Sequence, residues 1–112
     1  MKTLKEFLSE ADVKNPVDKN KENAKKYSKL SDHHAKIEKK ILADVNKASG
    51  DTKAELEELA KHHGWARHAF KKASDAYKAG NDDLGDAHKS TAKDHINKAV
   101  EMQSNNANYA KY

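Results

Sequence analysis

The chain has 112 residues, a mass of 12.5 kDa and a formal net charge of +4, which is enough for one small domain and too short for a tandem. It is 36% charged and 36% hydrophobic, with a mean hydropathy of -1.13; having no cysteine, it excludes disulfides, zinc ribbons and thiol catalysis. Seventeen alanines against sixteen Leu, Ile, Val and Phe, with four glycines and one proline, point to a Lys-rich all-α protein with little apolar bulk to bury.

In residues 1–11, Leu4, Phe7, Leu8 and Ala11 fall on one face of a short amphipathic helix, marginal in water without a partner. Residues 11–20 read as a linker, because Pro16 disfavours a helical Asn15. A first helix follows from about Lys21 to Ala48, with the stripe Tyr27, Leu30, His34, Ile37, Ile41, Val45 and Ala48. Gly50 suits a left-handed turn after it. The second helix opens at Thr52 with Glu55 three residues on, a capping box, and its stripe is Leu56, Leu59, His63, Ala66, Phe70, Ala73 and Tyr77. Gly64 weakens it by roughly 1 kcal/mol relative to Ala. After the turn at Gly80, with Asn81 or Asp82 as N-cap, the third helix runs to about Met102. Its stripe is Leu84, His88, Thr91, His95, Ala99 and Met102.

Short turns between long helices imply an up-down-up three-helix bundle over residues 21–103. The polar residues 104–112 read as a disordered tail. The expected core is thin: Leu30, Ile37, Ile41, Leu42, Val45, Leu56, Leu59, Trp65, Phe70, Leu84, Ile96, Val100 and Met102, filled in by alanine. Stability should be modest, a few kcal/mol. The alternative is three helices that pack loosely, or fully only in an oligomer. The longest apolar run is Ile41-Leu42-Ala43, so neither a membrane span nor a secretory signal is expected.

The first eleven residues read Met1-Lys2-Thr3-Leu4-Lys5-Glu6-Phe7-Leu8-Ser9-Glu10-Ala11. This start resembles the capsid-targeting sequence of internal head proteins of T-even-type tailed phages. Those proteins begin Met-Lys-Thr, carry Glu-Phe three residues on, and end the tag with an aliphatic residue, any residue, Glu and Ala. The matching positions here are Met1, Lys2, Thr3, Glu6, Phe7, Leu8, Glu10 and Ala11, about a tenth of the chain. The resemblance implies a propeptide, residues 1–10, that docks on the prohead core or scaffold. Its apolar face, Leu4, Phe7 and Leu8, would make the targeting contact. The prohead protease would then cut after Glu10, with Leu8, Glu10 and Ala11 as the cleavage site. The mature chain would stay with the DNA inside the capsid and enter the host cytoplasm with it. Two roles stand open within that class: a structural, DNA-associated filler, and a host-directed effector acting on a host protein. Leu56-Glu57-Glu58 also fits the short cleavage motif, but lies inside a predicted helix. The alternative from another class is a cellular helical protein-interaction module without enzymatic activity.

Most of the positive surplus lies in the first helix. At 100° per residue, Lys25, Lys29, Lys36, Lys40 and Lys47 fall within a stripe of about 60°, opposite the apolar one. Such a stripe suits weak, sequence-independent contact with a phosphate backbone. The plainer reading is a solvated face containing i, i+4 pairs such as Lys40–Asp44. With Arg67 the only arginine, bidentate base reading is not expected.

Seven histidines are many for this length. His34, His63, His88 and His95 fall on the stripes, and antiparallel folding places His34, His63 and His95 within roughly a helical turn in height. Three imidazoles so placed suit Zn²⁺ or Ni²⁺. We read them instead as stripe-edge residues and assign no metal. No phosphate loop, nucleophile elbow or His-Glu-x-x-His motif is present, so neither an enzyme nor a cofactor is expected.

Overall fold

The structure, a computed structural model, describes residues 16–112, with side chains from residue 19. Three helices account for nearly all of them: α1 (Pro16–Val45), α2 (Gly50–Lys78) and α3 (Asp82–Asn105), followed by a 3₁₀ turn at Ala107–Tyr109. There is no strand among the described residues. α2 packs against α1 on one side and α3 on the other, while α1 and α3 hardly approach each other.

α1 begins five residues earlier than the sequence pattern suggested, taking over half of the expected linker. Proline is disfavoured inside a helix but favoured at its first position, where its missing N–H is not needed. α2 begins at Gly50, whose φ of 61° is left-handed, as expected for a glycine there. The expected Thr52–Glu55 capping box does not form. Ser49 is the N-cap and makes no side-chain cap bond, and the Glu55 carboxylate accepts from Tyr109 Oη at 2.5 Å instead. The α2–α3 turn follows the local rules closely. Asn81 N–H donates to Ala76 O and Gly80 N–H to Tyr77 O, a Schellman pair, with Gly80 at φ 82°. The Asn81 side chain then accepts from Leu84 N and starts α3.

The core divides in two. One cluster holds Ile37, Ile41, Val45, Leu56, Leu59, Ala60, Ala99 and Tyr109. The other holds Ala24, Tyr27, Ala69, Phe70, Ala73, Tyr77 and Ala92. The Tyr27 ring stacks on both Phe70 and Tyr77, at 5.8 and 5.4 Å between centroids. Every residue of the expected α2 stripe is buried. On α1 the stripe holds from Tyr27 to Val45, with Leu30 only half-buried.

Four expected core residues are exposed: Leu42 at 46%, Trp65 at 50%, Leu84 at 45% and Val100 at 51%. Each adjoins a buried residue, Ile41, Ala66, Gly85 or Ala99 respectively, and is therefore turned about 100° from the buried line. On α3 the buried line is Gly85, Ala92 and Ala99, spaced by seven, not the larger residues beside it. Small residues let α3 approach the alanines of α2 closely. An ideal Cβ at Gly85 would lie 2.6–2.7 Å from the Tyr77 ring. That ring is buried, and its hydroxyl donates to Asp86.

The expected disordered tail is instead folded back on the helices. Tyr109 is buried in the first cluster, and Gln103 Nε2 donates to its carbonyl at 3.0 Å. Tyr112 Oη donates to Asp44 on α1, which Lys111 also approaches at 3.5 Å. Tyrosine supplies an apolar body and a polar tip, so polar composition around it concealed an anchor.

Gly85→Ala should therefore destabilise the fold. Overpacking costs roughly 1–3 kcal/mol, which outweighs the roughly 1 kcal/mol that alanine gains in helix propensity. Gly64→Ala should cost less, because its new methyl meets only the movable end of Glu38. Urea unfolding of both variants checks the ranking.

Candidate functional site

Three regions were singled out by sequence. The tag residues Leu4, Phe7, Leu8, Glu10 and Ala11 lie outside the described residues. Lys25, Lys29, Lys36 and Lys40 are all exposed on α1. Lys47 is exposed as well, but α1 ends at Val45, so it sits in the following turn and not on the helical stripe. An open groove of about 450 Å³ runs along the start of the stripe, lined by Glu22, Lys25, Lys26, Lys29 and Leu30. Asp44, expected to pair with Lys40, approaches Lys111 and accepts from Tyr112. The Tyr112 hydroxyl, aided by the Lys111 ammonium, holds its carboxyl below the usual range.

The histidines are arranged differently from expectation. His34, His63 and His95 do not converge. Adjacent residues on a helix point about 100° apart, so His63 faces α1 and His62 faces α3. His63 Nδ1 lies 3.0 Å from His34 Nδ1, with the rings stacked at 5.2 Å. His62 Nδ1 lies 3.4 Å from His95 Nδ1, with centroids 5.6 Å apart. No group of three His, Asp or Glu side chains among the described residues is placed to hold a metal ion. His62 is the member that sequence reasoning missed. Its signal was the His62-His63 pair itself, which must face two directions on a helix with two neighbours.

Two facing Nδ1 atoms at these distances leave room for one proton between them. One ring donates and the other accepts, which requires opposite tautomers. Protonating both rings sets N–H against N–H. Burial acts the same way. It pushes the His63 imidazole down to about 4, helped by His34, His33 and His62. His63 Nε2 is buried without a hydrogen-bond partner. His34 is lowered by burial and then by His33. His62 is lowered by burial, then by His95 and Lys98, against the opposing pull of Glu58. His95 is lowered by burial and Lys98, against Asp94.

Around this layer lie two further features. Arg67 Nε donates to Glu38 Oε1 at 3.1 Å, and its carbonyl accepts from Ser31 Oγ at 3.0 Å. On the α3 side, the Trp65 ring rests 4.9 Å from His95 and 5.7 Å from His62. It borders a groove of about 290 Å³ lined with His68, Ala69, Lys72, His88, Thr91 and His95. The expected α3 stripe is thus partly accounted for: His88, Thr91 and His95 line a groove and not the core.

The lowered histidines determine the direction of the pH response. Unfolded, each binds a proton near 6.5; folded, His63 resists until about 4. The folded state therefore loses ground as pH falls through that window, by up to about 3 kcal/mol for His63 alone. Asp44, also depressed, adds its loss only below its unfolded value of 3.8. Thermal melts by circular dichroism at pH 7.5 and pH 5 should show a clear drop in midpoint. Equal midpoints would mean that the imidazoles are open to water.

No known protein family, curated protein or solved structure matches this chain.

Proposed function

We propose that this chain is an internal head protein of a tailed phage, packaged through residues 1–10 and trimmed after Glu10. The observation that carries the proposal is the run of matches from Met1 to Ala11, which resembles a capsid-targeting sequence at eight positions. Its partners in the particle would be the prohead core or scaffold, the prohead protease and the packaged DNA. After delivery it would reach the host cytoplasm, where a host protein is a further partner. The reading assigns it no enzymatic activity and no cofactor. No described helix is long and apolar enough to cross a membrane.

We read the helices as an up-down-up bundle. The pairings Ala24–Ser74, Ser31–Arg67 and His34–His63 descend along α2 as they climb α1, and Tyr77–Asp86 and His62–His95 run the same opposed way between α2 and α3, which supports that order. A closed capsid filled with DNA places weak phosphate ligands at saturating concentration. The exposed lysines of α1 are suited to that setting, each acting as a point charge. A cellular interaction module is the second reading. The exposed Leu42, Trp65, Leu84 and Val100 favour it, since partner surfaces carry such residues.

Two measurements test the proposal. Protein recovered from purified particles should begin at Ala11 by intact mass. A start at Met1 or Lys2 would sink the targeting reading. The purified chain should bind duplex DNA weakly and without sequence preference. With four lysines on the helical stripe, the log–log salt slope should be roughly -4. Lys29→Glu, Lys36→Glu and Lys40→Glu together should abolish binding in a gel shift, and indifference to them would point to a solvated face.

A further inference from the structure

The α2–α3 groove lies on different helices from the lysine stripe, and its chemistry differs. Trp65, the only tryptophan, is 50% exposed although its ring rests against His95 and His62. A large aromatic left half open beside a groove is a ready stacking surface. The side chains around it are His68, Lys72, His88 and His95, with Ala69 and Thr91 between. The Thr91 hydroxyl already donates to Ala87 O, so the groove's donors are the imidazoles, the ammonium and the indole N–H. No carboxylate lines it. The acids that act on its edge are Glu58, 3.9 Å from His62 Nε2, and Asp94, and Lys98 opposes them there.

We infer that this groove binds single-stranded DNA, one base stacking on Trp65 while Lys72, His68 and His88 hold the adjoining phosphate. Its volume of about 290 Å³ is near the lower limit of ligand-sized clefts, suited to one nucleotide at a time. Every base offers a π-face, so the site is indifferent to sequence. Duplex DNA keeps its bases stacked on one another and cannot present one to Trp65. The inference does not require that the chain is packaged in a capsid. Duplex binding through α1 would leave the indole untouched.

The lone tryptophan reports directly. The full chain is titrated with a short thymidine oligonucleotide, with a duplex of equal length and with inorganic phosphate, following Trp65 emission. The single strand should quench saturably, and the duplex and phosphate should not. Trp65→Ala should weaken binding of a fluorescein-labelled single strand at least fivefold by anisotropy, with helicity retained, since the residue is half-exposed. Lys72→Glu, on an exposed position, should weaken quenching without altering the fold. Equal quenching by the duplex, displacement of the oligonucleotide by phosphate alone, or unchanged affinity in both variants would overturn the inference.

Discussion

α2 is the one helix that packs extensively against both others, and the remainder of the structure depends on its two faces. The residues on them differ in kind. Toward α1 it presents Leu56, His63, Phe70 and Tyr77, large side chains that stack or fill. Toward α3 it presents His62 among small buried residues, chiefly alanines, met by Gly85, Ala92 and Ala99. A face of small residues requires close approach, and close approach leaves no room for error in register. Tyr77 joins the two regimes, with its ring stacked on Tyr27 of α1 and seated over Gly85 of α3. Burial, the Asp86 contact and that carboxylate's charge push its hydroxyl well above the usual tyrosine value.

Midway along α2 the apolar core is interrupted by imidazoles. His62 and His63 each reach a partner on a different neighbour, so a single dipeptide ties all three helices together. Buried polar groups cost stability unless satisfied, and His63 Nε2 is left without a partner. What the layer supplies is register: slipping α1 by one residue would move His34 about 100° from His63. The tail then closes one end. Tyr109 donates to Glu55 of α2 and Tyr112 to Asp44 of α1, and both hydroxyls are pushed up to about 12. The first rises through its bond to Glu55 and the second through burial.

Much of this was legible in the sequence where large apolar residues recur at three and four. The α2 stripe was legible throughout and the α1 stripe from Tyr27 to Val45, though not to Ala48, as were Gly50, Gly80 and Asn81 at the turns. On α3 only the end of the expected stripe, Ala99 with Met102 beside it, meets the core, because the buried line is Gly85, Ala92 and Ala99. A pattern that weighs bulk favours Leu84, one position away and exposed. The tail was misread for a related reason, since Tyr109 and Tyr112 are diluted among Asn, Ala and Lys. Of the four histidines placed on the stripes, His34 and His63 are buried, whereas His88 and His95 border a groove, and the expected meeting of His34, His63 and His95 does not occur. Two neighbours on different sides of one helix split them into pairs, and only the topology reveals which pairs. The α2–α3 groove was hidden because Trp65 was assigned to the core.

The central claim is that paired, water-poor imidazoles join α2 to each neighbour. Site-resolved titration of the histidines by ¹⁵N NMR tests it most directly. His63 should titrate near 4, and His34, His62 and His95 below the ordinary 6.5, with coupling across each Nδ1 pair. Four independent midpoints at 6.5 would contradict the pairing and the helix arrangement built on it.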